Sequence, residues 1–153
     1  IEGGVKPNVL PQSARAVVNF RVIPGDSVAS VLAHVRAVLG EGITVRQLPG
    51  GFSAEPSPLS STESAAFRVV SESITEVFPD AAVAPWIVMG ATDARHYLPV
   101  AGDAYRFSPF RMSPADIGRM HGTGERLRLS DADGALAFYR TVVQKACGTT
   151  QQW

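Results

Sequence analysis

The stretch RMHGTGERLRLSD, residues 119–131, places His121, one of three histidines in the chain, between a turn and a helix start. Glycines follow it at one and three residues, and Glu125 at four. Imidazole is the commonest neutral metal ligand, and glycines let the backbone bring it close to an ion. The same features also describe a loop histidine in solvent, and one imidazole makes no metal site alone. A second polar group, Thr92, Asp93, Arg95 and His96 in GATDARHY, follows an apolar run at 81–90. In open α/β sheets ligands gather at the carboxyl ends of strands. The planar fork of Arg95 suits a carboxylate; the plain alternative is an Asp93–Arg95 surface cluster. Asn8 lies in GGVKPNVLP, where two glycines and two prolines fix an irregular backbone; a turn asparagine is its ordinary role. Arg21, in NFRVIPG, shares a strand face with Asn19 and Ile23, opposite Val18, Phe20 and Val22. A solvated strand face is its ordinary role. His34 sits on a helix, where a core edge or exposed face explains it better than ligation. Trp86 reads as packing and Trp153 as a terminal residue. No serine nucleophile elbow, Walker-type loop or paired-histidine helix is present.

The elements that must position these residues follow from periodicity. A β-branched and aromatic run over 15–23, closed by Pro24-Gly25, predicts a strand. Val28, Val31, Leu32, Val35, Val38 and Leu39 recur at helical spacing, with Asp26 or Ser27 as cap and Gly40 as stop. Residues 42–48 read as a second strand, giving β-α-β. The Pro/Gly/Ser stretch 49–61 has no periodicity and marks a domain boundary. Ser60 and Glu63 fit a capping box before a helix with Phe67, Val70, Ile74 and Val77 on one face. The uninterrupted apolar run 81–90 predicts a strand buried on both faces. Ser113-Pro114 starts a turn or short helix. Ser130 caps a last helix, with Leu136, Tyr139, Val143 and Cys147 facing inward and Gly148 as its stop.

Composition sets the outer limits. The chain has 153 residues, enough for one domain or two small ones, and 45% apolar content can fill a core. Charge balances at 14 basic against 14 acidic residues with no like-charge run, which argues against a nucleic-acid footprint or a polybasic membrane patch. No apolar stretch approaches the length of a membrane span. The single Cys147 excludes an internal disulfide and a cysteine-based zinc site. It leaves the compartment open. The opening IEGGVKPNVLP has neither an initiator Met nor a signal-peptide pattern, and reads as the interior of a longer chain.

Taken in order, GGVKPNVLP, NFRVIPG, GATDARHY and HGTGE resemble the M20 metallopeptidases, in particular the carboxypeptidase-S-like and N-acyl-amino-acid hydrolase branch. Each motif is weak alone, but the collinear set spans nearly the whole chain. The resemblance implies an α/β protein. Residues 1–56 would be most of a β-α-β lid, incomplete at its start, that forms a homodimer. Residues 57–153 would be the C-terminal part of a zinc-peptidase catalytic domain. It further implies that His121 is a metal ligand of a two-zinc site, and that Glu125 supports the turn without touching the metal. Asn8, Arg21 and Arg95 would bind substrate, a small peptide or N-acyl amino acid with a free carboxylate. Gly124 departs from the pattern, because Asn is usual there. The family's other ligands and its general-base Glu would lie before Ile1, so the chain alone is expected to be inactive. Two rivals remain: a non-catalytic dimerisation module, and a small-carboxylate binder using Arg95. The length of native reading frame before Ile1 separates the enzyme from both.

Overall fold

The computed structural model describes residues 1–148, and Trp153 lies outside them. The chain divides into two compact units, Ile1–Pro58 and Leu59–Trp153. The described residues mix helices with one small antiparallel sheet, an arrangement compatible with an α/β class.

In the first unit, β1 (Glu2–Gly3) pairs with β2 (Ala14–Arg15), Glu2 opposite Arg15 and Gly3 opposite Ala14. Arg15 Nη2 donates to Glu2 Oε2 at 3.1 Å across this pair. Both side chains are exposed, so the bond aligns the two strands more than it stabilises them. α1 (Val28–Leu39) begins at Ser27 and ends at Gly40, as its sequence predicts. The Ser30 amide donates to Ser27 Oγ at 3.0 Å, and the Ser27 amide donates back to Ser30 Oγ at 2.9 Å. This reciprocal box satisfies two amides that the helix itself leaves free. A third, on Val28, donates to Glu55 Oε2 at 3.1 Å, which holds the 49–58 segment against the helix start. Gly40 has φ 70° and donates to Arg36 O, the left-handed exit that glycine makes without a Cβ clash.

In the second unit, α2 (Ala65–Val77) packs along α5 (Ala132–Cys147). Between them come the short helices α3 (Ala94–Tyr97) and α4 (Pro114–Ile117), and a 3-10 turn, Leu129–Asp131, leads into α5. The core is Ile74 from α2 with Ala135 and Phe138 from α5, around the fully buried Ser73. Ser73 Oγ donates to Val69 O at 2.7 Å, so no polar group is stranded by its burial. Phe107 tilts against Phe138 with centroids 4.8 Å apart. Gly134 lets α5 approach: a Cβ there would meet Phe78 Cε1 at 3.1 Å. The segment before α2 is tied to residues 103–105. Ser61 N–H donates to Asp103 Oδ1 at 2.8 Å, and Ala104 N–H donates to Ser60 Oγ at 2.9 Å.

Several expectations change. Of the predicted strand 15–23, only Arg15 is in a ladder, and 42–48 and 81–90 are in none. Their backbones have no strand beside them among the described residues, and a strand exists only through its partner. Residues 81–90 are exposed throughout, and Trp86 is 86% exposed rather than packed. The cap of α2 is Ser64, whose Oγ accepts from Phe67 N at 3.1 Å, because Ser60 is engaged by Ala104. α5 takes Asp131 as its cap residue, since the 3-10 turn carries the chain one residue past Ser130. The inner face of α5 is also rotated. Ala135 and Phe138 are buried, whereas Leu136 is 71% exposed, and Tyr139, Val143 and Cys147 also face outward.

This rotation is testable. Phe138→Ala should destabilise the second unit by about 3–5 kcal/mol, the scale of emptying a buried aromatic site. Leu136→Ala should cost no more than about 0.5 kcal/mol, as at other exposed positions. Urea unfolding of the two variants measures the difference, and equal losses would contradict the packing.

Candidate functional site

Asn8 stands at the tip of the connection between β1 and β2. Val9 N–H donates to Lys6 O at 3.2 Å, closing a turn with Pro7 and Asn8 as its central residues. Proline presets the first of those positions. The Asn8 side chain is exposed, as is Arg21 on its extended segment. His34 lies on the exposed side of α1.

Arg95 and His121 belong to the second unit. Arg95 is the second residue of α3, and its Nε donates to His96 Nε2 at 3.2 Å. Arg106 Nε donates to Thr92 Oγ1 at 2.9 Å, which fastens the start of the GATDARHY turn to the 103–107 segment. Arg95 is thus an exposed residue on a single helical turn.

His121 is the more unusual residue. Its φ is 61°, making it the one non-glycine residue with positive φ among the described residues. An L side chain in this region costs on the order of 1–2 kcal/mol, and such outliers concentrate at functional positions. The local bonds show what holds it. His121 N–H donates to Glu125 Oε2 at 3.2 Å, Gly122 N–H to Arg119 O at 2.9 Å, and Glu125 N–H to Gly122 O at 3.2 Å. Gly124, at φ 84°, completes the reversal. Glu125 therefore touches the backbone of His121 and leaves the imidazole exposed.

Sequence patterns miss the anchor of this turn. Asp116, on α4, is 19% exposed and gathers four donors. Its Oδ2 accepts Ser113 N–H at 2.9 Å, Ser113 Oγ–H at 2.6 Å and Arg128 Nη2 at 2.9 Å. Its Oδ1 accepts Arg119 Nη1 at 3.0 Å. The Ser113 hydroxyl and amide, then the Arg128 charge, hold the Asp116 carboxyl well below the usual carboxylate range. Ser113-x-x-Asp116 is a capping signature legible in sequence. Arg128, twelve residues on, has no sequence signal.

Among the described residues, no three His, Cys, Asp or Glu side chains come together to hold a metal ion. The described residues therefore do not fit a self-sufficient metal cage, and His121 offers one exposed imidazole. A groove of about 650 Å³ in the second unit runs along α2 and is lined by Phe67, Ser71, Glu72, Glu76 and Val83. It touches neither Arg95 nor His121. Its two carboxylates are paired with Lys145 of α5, at 3.3 and 3.2 Å.

Comparison with known proteins supplies the wider context. Residues 1–43 match the family model of the peptidase dimerisation domain. The chain is 36% identical over 142 residues to the probable carboxypeptidase S-like 2 of Dictyostelium discoideum, covering 92% of this chain and 27% of that protein. It is 33% identical over 145 residues to the N-fatty-acyl-amino acid synthase/hydrolase PM20D1.1 of Danio rerio, covering 94% and 28%. The human protein named N-fatty-acyl-amino acid synthase/hydrolase PM20D1 is 29% identical over 146 residues, covering 95% and 29%. No solved structure matches the chain. It spans little more than a quarter of the length of these curated relatives. The first 43 residues thus resemble a peptidase dimerisation unit. Beyond those 43 residues the chain is similar to proteins named carboxypeptidase S-like and N-fatty-acyl-amino acid synthase/hydrolase.

The lowered pKa of Asp116 fixes a direction of pH dependence. A carboxylate with a depressed folded-state pKa contributes stability above its unfolded pKa, about 3.8, and loses that contribution as pH falls through the window below. Asp116→Asn should be less stable than the parent chain near pH 7. The gap should narrow below about pH 4, as the unfolded wild-type carboxyl takes up its proton. Thermal unfolding at several pH values checks this, and a gap independent of pH would contradict it.

Proposed function

We propose that this chain provides the lid and the closing part of the catalytic domain of a zinc-dependent metallo-carboxypeptidase or amidohydrolase. The parent enzyme cleaves a peptide or N-acyl amide bond next to a free carboxylate. The observation that carries this reading is the ordered set of four motifs. They lie in a chain that aligns over more than nine-tenths of its length with relatives named for carboxypeptidase and N-fatty-acyl-amino acid chemistry.

In this reading His121 is one ligand of a two-zinc site, whose other ligands and general base are supplied by the parent outside this chain. Zinc, when bound, supplies Lewis acidity at the amide carbonyl. The residues of this chain bind and orient. Asn8 offers an amide donor to the oxygen on which charge develops, while Arg21 and Arg95 hold a carboxylate with planar, paired donors. The peptidase dimerisation domain over 1–43 supports a homodimer formed through the lid, with Asn8 and Arg21 serving the neighbouring subunit's site.

The chain alone is expected to release no product from N-acyl amino acids or dipeptides; turnover by the pure chain, abolished by a chelator, would refute this. In the full-length parent, Arg95→Lys keeps the charge but loses the fork. It should lower kcat/KM by roughly 1–3 kcal/mol with metal content unchanged. His121→Ala should lower metal stoichiometry and activity together. Wild-type metal content in a folded His121→Ala parent would remove His121 from the ligand set.

A further inference from the structure

Asp116 is remote from the four candidate residues in role, yet its bonds converge on the turn that carries one of them. Arg119 and Arg128 bracket His121, two residues before it and seven after. Both guanidinium groups end on the Asp116 carboxylate, one on each oxygen, at 3.0 and 2.9 Å. Ser113 fixes that carboxylate from the other side with its amide and its hydroxyl. The 119–128 segment is thereby a loop closed on a single anion.

Inside that loop the backbone is in an unfavourable state. His121 is left-handed at φ 61°, and no neighbour of its own compels this beyond the Glu125 carboxylate on its amide. An open segment of this length would relax His121 into the more populated right-handed or extended regions. Closing the ends restricts the segment to tight conformations, and the remaining bonds, Gly122 N–H to Arg119 O and Glu125 N–H to Gly122 O, then select one. Arg119 participates twice, with its guanidinium on Asp116 and its carbonyl on Gly122. The position of the anchor is therefore transmitted directly to the residue after His121.

We propose that Asp116 is a positioning residue. With Arg119 and Arg128 it forms a clasp that holds His121 in its left-handed conformation and so sets the direction in which the imidazole is presented. The metal-binding consequence rests on the reading of His121 as a ligand; the conformational consequence does not.

Two measurements keep those apart. In the 153-residue chain, backbone chemical shifts and the three-bond amide–Hα coupling report φ at His121. Asp116→Ala should move the resonances of 119–125 and abolish the left-handed signature, with α2 and α5 unchanged. Arg128→Gln leaves the Ser113–Asp116 cap intact and should produce the same loss, so a misfolded Asp116→Ala chain does not decide the matter. An unaltered His121 in folded Arg128→Gln would overturn the clasp. In the full-length parent, zinc retention against a competing chelator should weaken about 10–100-fold in either variant, the usual scale for groups that orient a ligand. Arg128→Lys, which keeps the charge on Asp116, should recover most of it. Altered shifts with unchanged zinc retention would overturn the positioning role. Wild-type metal content in His121→Ala would overturn the ligand reading alone.

Discussion

Backbone polar groups must find partners, and this requirement divides the chain into what closes by itself and what does not. A helix pairs its amides and carbonyls within one segment; a strand needs a second segment beside it. α1, α2 and α5 are therefore complete, the first two capped by serine side chains and the third entered from a 3-10 turn. The runs at 15–23, 42–48 and 81–90, strand-like in sequence, lie in almost no ladder among the described residues. The same division governs burial. The core forms where two amphipathic helices meet, at Ile74, Ala135 and Phe138, and exposed apolar side chains concentrate on the extended runs.

What was legible in the sequence follows the same line. Caps and stops are local chemistry, so Ser27, Gly40 and the Ser113-Pro114 start were readable from neighbouring residues. The face of α2 with Phe67, Val70, Ile74 and Val77 was readable too, because only one apolar stripe runs along that helix. α5 carries two. Ala135, Phe138 and Val142 form one, and Leu136, Tyr139 and Val143 form the other. Period alone does not rank them. Gly134 decides, because its missing Cβ admits Phe78 to the first stripe. Small residues marked the inner face where a hydrophobicity count favoured the outer one.

The candidate residues show a similar boundary between local and distant information. His121 stands out by type and by its glycine neighbours, but its positive φ is a feature that composition alone does not announce. The link from Glu125 to the His121 amide spans four residues and was within reach of pattern reading. Arg128 was not, since its bond to Asp116 closes a twelve-residue separation that no short motif encodes. Asn8 and Arg21 carry no comparable geometric mark; a Pro-Asn turn and an exposed strand arginine look alike whether or not they meet a substrate.

The two kinds of uncovered apolar surface bear on the functional proposal. The 81–90 run and α5 both flank candidate residues in sequence: 81–90 leads into Thr92–Arg95, and α5 follows the His121 turn. In a parent that pairs 81–90 into a sheet, the carboxyl end of that strand would be fixed by the ladder, and the Arg95 turn would be fixed with it. The His121 turn does not depend on such a ladder. It is held by Asp116, Arg119 and Arg128 within one short segment. The two turns of the second unit therefore differ in what holds them: the His121 turn is held by ion pairs, and the Arg95 turn by the Arg106–Thr92 hydrogen bond. Under the proposed roles a rigidly held turn suits His121 and a long, adaptable side chain suits Arg95, since the tolerances differ. A metal ligand must meet its ion within tenths of an ångström, whereas an arginine on a long side chain adapts to its carboxylate.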